Sequence, residues 1–234
     1  MYDIVFISYN ELNADENFAR LKSRFPLAKR VHGVKGIHQA HIAAAKMCFT
    51  KMFWVVDGDA QILDTFNFDY QVSEWDLDVV HVWRSINPIN GLEYGYGGVK
   101  LLPRALTLKI SPDSVDMTTS ISSKFKAMDE ISNITAFNTD GFSTWRSAFR
   151  ECAKLGSKVI DRQNYLETSQ RLNAWVTYYP GKSFAQQAAE GAVAGKEYGR
   201  KNAADPAALS LINNFEWLRT RYEQTPQPLE TPQL

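Results

Sequence analysis

Apolar residues fall first in short runs and later at helical spacing. Residues 3–8 are β-branched and aromatic and predict a strand. Asn13 or Asp15 can cap a helix carrying Phe18, Leu21 and Lys22, which Pro26 stops. Residues 28–34 predict a second, shorter strand, and strand, helix, strand at this spacing is a parallel βαβ unit. An Ala-rich helix over 38–49 leads into residues 52–56, an unbroken apolar run that reads as a buried strand. Residues 63–78 show no firm element, 79–83 predict a strand, and 84–91 read as a loop with Asn87-Pro88 and Asn90-Gly91 as turn dipeptides. Residues 94–103, with three glycines and two tyrosines among them, suit neither a helix nor an ordinary strand. A helix starts near Phe142, runs to Leu155 and stops at Gly156, and from Asp161 to Glu223 the pattern is helical. The predicted class is α/β: one domain over 1–223, a mixed and mainly parallel sheet flanked by helices, with a helical C-terminal part. Its two halves are 1–105 and 106–223. Residues 224–234 hold three prolines and little apolar content, and read as a tail.

Composition narrows this picture. At 234 residues and 44% hydrophobic content the chain can bury a sizeable core. Basic and acidic residues balance at 26 each, which argues against binding nucleic acid by bulk charge but leaves room for a local basic groove. Cys48 and Cys152 match no metal spacing and read as buried free thiols, consistent with a reducing cytosol. No run spans a bilayer and no signal pattern precedes the first strand, so the expectation is a soluble, cytoplasmic protein with no membrane partner.

The chemistry concentrates where residues 52–56 end. Asp57, Gly58 and Asp59 follow the apolar run directly. Residues i and i+2 of a strand share a face, so both carboxylates can reach one small volume. Gly58 lets the backbone turn and a ligand approach. Hard oxygen donors at a strand's carboxyl end suit a divalent cation, Mn²⁺ or Mg²⁺, that neutralises a diphosphate; the same tripeptide also suits a plain surface turn. Open α/β sheets bind ligands at strand carboxyl ends, which brings in Ser8, Tyr9, Asn10 and His32. Lys35, between Gly33 and Gly36 at a helix start, is a phosphate contact by the same logic. His38 and His41 share a helix face, but a zinc site lacks its further ligands; one faces the nucleotide and the other packs. Gly97 and Gly98 allow backbone to approach a sugar, with Tyr94 and Tyr96 placed to stack. Asp140 heads the helix near Phe142 and is either its cap or a general base. Gly191, Gly195-Lys196 and Gly199-Arg200-Lys201 suggest a surface closing over a diphosphate or tracking a phosphate backbone, against the plainer reading of a solvated helical face.

Taken together, residues 4–10, 53–59 and 138–150 resemble the GT-A glycosyltransferases, and in detail the small enzymes of this type from T-even-type bacteriophages and their relatives. The likeness spans roughly the first two-thirds of the chain. It implies that the turn after the first strand contacts the nucleotide base. It also implies that Asp57 touches ribose or metal, and that Asp59, the second aspartate of the DXD motif, ligates the metal directly. Many such enzymes add a C-terminal histidine to the metal; here all four histidines lie at or before His81, so that ligand is absent or replaced.

The leading expectation is transfer of a sugar from a nucleoside-diphosphate sugar, a UDP-sugar first, to a hydroxyl. The acceptor suggested by the phage likeness is 5-hydroxymethylcytosine in DNA, with a glycan or small molecule as the alternative. Tyr94, Tyr96 and Trp145 would stack on that acceptor, and Lys100, Arg146, Lys196, Arg200 and Lys201 would meet its phosphates. A nucleotidyltransferase ranks behind, because Tyr9, Asn10 and Glu11 replace the Gly-rich basic loop it usually needs. A binding module without turnover is the non-enzymatic alternative.

Overall fold

The structure, a computed structural model, describes residues 1–95, 97–111, 117–158 and 164–224. Tyr96 and the expected tail from 225 onward lie outside the described residues. The chain is an α/β protein with one mixed sheet and a helical C-terminal part. Its first part runs β1 (Asp3–Ser8), α1 (Ala14–Arg24), β2 (Lys29–His32), α2 (Ile37–Lys46), β3 (Met52–Asp57) and β4 (Ala60–Ile62). There follow β5 (Val80–Ile86), β6 (Glu93–Tyr94), β7 (Val99–Pro103), α3 (Arg104–Thr107), α4 (Met117–Ile121) and β8 (Phe125–Thr135). The helical part is α5 (Gly141–Ser157), α6 (Tyr165–Val176), α7 (Ala185–Lys201), α8 (Pro206–Ser210) and α9 (Phe215–Glu223).

Strand order is β2-β1-β3-β7-β5-β8-β4, with β6 on β5. β2, β1 and β3 are parallel, as the βαβ reading requires. β3 is buried on both faces, which is why its sequence is apolar without alternation. Phe6 and Trp54 face α1 and a cluster holding Phe66, Phe68 and Trp83, while Val5, Phe53 and Val55 face α2 and Val82. Period-two sidedness thus divides one strand between two cores. The two thiols are buried and free, and burial pushes Cys48 up to about 12.

Two strands stand where the pattern predicts none. Residues 99–103 form β7, antiparallel to both β3 and β5 and buried at every position, Lys100 included. Its glycines precede the strand instead of interrupting it. The 11-residue β8 carries no apolar alternation, because only two of its positions, Ser132 and Asn133, are buried and its order comes from backbone pairing with β5. Register shifts around Arg84 bend that pair. The bend carries the end of β8 back to β4, where Ala136 N–H donates to Asp59 O at 2.7 Å. The N-terminus of α5 therefore arrives beside the Asp57–Asp59 turn.

α5 runs to Ser157, through the expected stop at Gly156, and ends on Lys158 in the left-handed conformation. Gly156 is needed inside the helix: a Cβ there would lie 2.8 Å from Lys196 O. Gly191, Gly195 and Gly199 face the backbones of Trp145, Phe149 and Ala153 in turn. Both series advance by four, so α5 and α7 run parallel with their backbones in contact. The glycine interleaving of the last third is helix packing, not a surface closing over a ligand.

Candidate functional site

The carboxyl ends of β1, β2 and β3 lie side by side, with Ser8 paired to His32 and Ile7 to Asp57. Asp57 ends β3, Gly58 and Asp59 turn the chain, and Asn17 of α1 donates to Gly58 O at 2.9 Å. Gly58 makes room for a group that the sequence did not single out. A Cβ at 58 would stand 2.7 Å from Glu11 Oε2 and 3.1 Å from Ser8 Cβ. Glu11 Oε2 in turn accepts the Tyr9 N–H at 2.7 Å. Three carboxylates, Glu11, Asp57 and Asp59, thus share one neighbourhood.

Their charge is answered from two sides. Lys100 Nζ donates to both oxygens of Asp57 at 2.8 Å and also to Gly97 O. The lysine side chain is 4% exposed and that of Asp57 33%. Burial pushes Asp57 above its usual range, against the pull of Lys100. Asp59 is raised to about 7 by burial, then by Asp57 and Glu11, with Arg146 opposing. Arg146 and Arg150 sit four apart on α5, on one helical face, and both bear electrostatically on these carboxylates. Arg146 Nε is buried without a hydrogen-bond partner among the described residues, and its guanidinium lies over Phe215 at 5.3 Å. Phe215 also meets the Tyr9 ring at 6.1 Å, so the start of α9 covers the end of β1.

The expected Asp57–Asp59 pair is not open as a pair to a divalent cation. Lys100 occupies both oxygens of Asp57, whereas Asp59 has no ion pair among the described residues. No group of three or more His, Cys, Asp or Glu side chains among the described residues is arranged to hold a metal. Asp59 therefore offers one protein carboxylate, and any further ligands would come from donor phosphate and water.

The other expected residues divide. Ser8, Tyr9, Asn10, His32, Asp57, Gly58, Asp59, Gly97 and Gly98 gather at this end of the sheet; Gly98 O accepts the Asp57 N–H at 2.9 Å. Gly98 also makes room for the buried Asn133, whose Nδ2 would be 2.6 Å from a Cβ. Lys35 reaches across the surface to Glu216 at 3.1 Å, a tie between loop and α9. His38 and His41 are both buried, and His41 Nδ1–H donates to Ile37 O at 2.8 Å, which makes it a packing residue. Asp140 caps α5: its oxygens accept Ser143 N–H at 2.8 Å and Ser143 Oγ–H at 2.7 Å.

The acceptor set does not assemble. Trp145 is fully buried against Phe149 and Tyr222 and has no face for a base. Tyr94 is buried, with its hydroxyl donating to Glu151 and accepting from Trp175. Lys100 is held by Asp57 and cannot also meet a phosphate backbone. Lys196 lies beside the α5 contact, and Arg200 and Lys201 close the last turn of α7. Because α5 and α7 are parallel, that turn lies alongside Ala153, two helical turns or about 12 Å beyond the level of Trp145. A cavity of about 560 Å³ lies at the opposite end of the sheet, between Phe49, Trp75, Pro103 and Lys124, remote from every carboxylate described above.

Among the described residues no helix is long and apolar enough to cross a membrane. No family model matches the chain, and no curated protein does. A solved structure similar to it, the crystal structure of HddC from Yersinia pseudotuberculosis, has 14% sequence identity and a TM-score of 0.34, the match covering 56% of this chain and 90% of that one. A likeness this remote does not bear on activity or substrate.

Proposed function

We propose that the chain is a GT-A-type glycosyltransferase that takes a nucleoside-diphosphate sugar at the carboxyl ends of β1, β2 and β3. The observation that carries this is the Asp57-Gly58-Asp59 turn at the end of a buried parallel strand, faced by Arg146 and Arg150 from α5. Carboxylates and guanidinium groups brought near one another at a strand end suit a ligand that is anionic at its diphosphate and polar elsewhere. Arg146 and Arg150 would meet the diphosphate, and Tyr9 would lie against the nucleoside. A divalent cation, held by Asp59 when the donor is present, would supply charge neutralisation on the leaving diphosphate. Lys100 keeps Asp57 in place and ties it to the Gly97 turn. If transfer inverts the anomeric centre, Asp140, released from Ser143, would take the acceptor proton.

The acceptor is a hydroxyl compound. Hydroxymethylated cytosine in DNA is supported by the phage resemblance alone, since the basic and aromatic residues do not converge on the site.

The decisive experiment is a mass-spectrometric screen of nucleotide sugars against hydroxymethylated DNA and simple glycans, run beside calorimetry with nucleoside diphosphates. Turnover that Asp59→Asn abolishes supports the proposal. Nucleotide binding without turnover leaves a binding module instead. As a base, Asp140→Asn lowers kcat by about 10²–10⁴ with donor affinity intact; as a cap only, it is nearly silent, because Asn caps as well as Asp.

A further inference from the structure

At the ends of β1 and β2, a chain of contacts orients one exposed histidine. Arg30 Nε donates to Ser8 Oγ at 2.9 Å, and Ser8 Oγ lies 2.9 Å from His32 Nδ1. A terminal nitrogen of Arg30 lies 3.4 Å from the same Nδ1. A guanidinium carries donors only. The Ser8 hydroxyl, with an Arg30 N–H on its lone pair, has its own hydrogen to give. Nδ1 therefore faces two donors and is the acceptor, and the ring hydrogen sits on Nε2. A hydrogen on Nδ1 would point at the guanidinium N–H.

The base of this relay is rigid. Arg30 pairs with Asp15 at 2.7 Å and lies over the Phe6 and Phe18 rings at 5.7 and 5.3 Å. Ser8 is buried, whereas His32 is exposed. Ser8 is fixed at the buried end of β1, and His32 shows a single N–H to solvent. His32 stands two strands from Asp57, about 10 Å at ordinary strand spacing. That leaves room for a ribose between a diphosphate at the carboxylate turn and a base at His32.

We infer that His32 selects the nucleobase, presenting a fixed Nε2–H to a carbonyl oxygen. Uracil and guanine carry a keto oxygen where cytosine and adenine carry an amino group. A locked donor pairs with the first kind and meets N–H with N–H in the second. The inference rests on the nucleotide-sugar reading and narrows it to donors with a keto base, uridine or guanosine diphosphates. Arg30 and Ser8 are positioning residues: they act through the tautomer of His32.

The test has two arms on the full chain. Long-range ¹H–¹⁵N spectra of histidine-labelled protein at about pH 8, with His32 assigned from the His32→Gln spectrum, report the tautomer. The expected result is Nε2–H in the parent and loss of that fixed tautomer in Arg30→Gln. A predominant Nδ1–H form in the parent overturns the inference. Calorimetry then compares UDP with CDP, and GDP with ADP. The parent should prefer the keto member of at least one pair by about 10- to 100-fold. His32→Gln, whose amide rotates to offer either donor or acceptor, should bring that ratio near one. Equal binding by the parent, or an unchanged ratio in His32→Gln, overturns the selection role and leaves the nucleotide reading standing. No binding by any of the four nucleotides overturns both.

Discussion

Gly58 and Gly195 both stand next to charged residues in the chain, and they admit different neighbours. At Gly58 the space is filled by the carboxylate end of Glu11, a flexible side chain. At Gly195 it is filled by the backbone of Phe149. One glycine shapes a site, and the other lets two parallel helices touch. A glycine beside charge has no single meaning until the identity of the atom opposite its missing Cβ is known.

The comparison breaks most sharply at α7. In an open helix alanine exceeds glycine by about 1 kcal/mol. Gly195→Ala should instead cost about 2–3 kcal/mol, because neither backbone can yield without separating the helices. Urea unfolding reads the difference, and a stabilised variant would show that the helices do not approach so closely.

The next effect is electrostatic. The Asp59 carboxyl is raised to about 7 in the fold, above its ordinary 3.8. The native state then holds this proton more tightly than the unfolded chain does. Its stabilising contribution is complete below the unfolded pKa and is lost as pH rises to about 7. Asp59→Asn should match the parent near about pH 4 and exceed it at about pH 8, read as urea midpoints. A constant difference across that range would remove Asp59 from the cluster of like charges.

The smallest effect on stability is expected at Gly58. Gly58→Ala meets chiefly the flexible end of the Glu11 side chain, with Ser8 Cβ at 3.1 Å as a second, milder contact, so stability should fall by about 1 kcal/mol while nucleotide affinity drops. Glu11→Ala in the same background should recover part of that affinity. A double-mutant cycle measures the coupling, and additivity within about 0.5 kcal/mol would mean that the two residues do not share space.

The sheet was legible in the chain to different depths. β1, α1, β2 and β3 follow from apolar runs, turn residues and a proline stop. β7 was obscured by Gly97 and Gly98, and by a lysine whose buried position is possible only because Asp57 lies within reach. β8 carries no alternation because its only buried positions, Ser132 and Asn133, are adjacent. In the site, the Asp57–Asp59 turn and the ends of β1 and β2 were readable from pattern. Arg150 was readable in principle, four residues after Arg146. Glu11 passed for part of a turn, and Trp145 for a surface platform, because the sequence shows the type of a residue and not what lies across from it.

What the sequence determined by itself is local: where strands and helices begin, which strand is buried on both faces, and that two carboxylates end it. Those features depend on propensity and on periods of two and 3.6, which act over a few residues. What only the tertiary structure decided is pairing over long separations. Lys100 on Asp57, Glu11 over Gly58, Arg30 through Ser8 to His32, and α7 against α5 each join residues that no local rule associates. The physical reason is that a charge or a glycine is ambiguous in the chain: burial and the neighbour across the gap determine whether it neutralises, positions or packs.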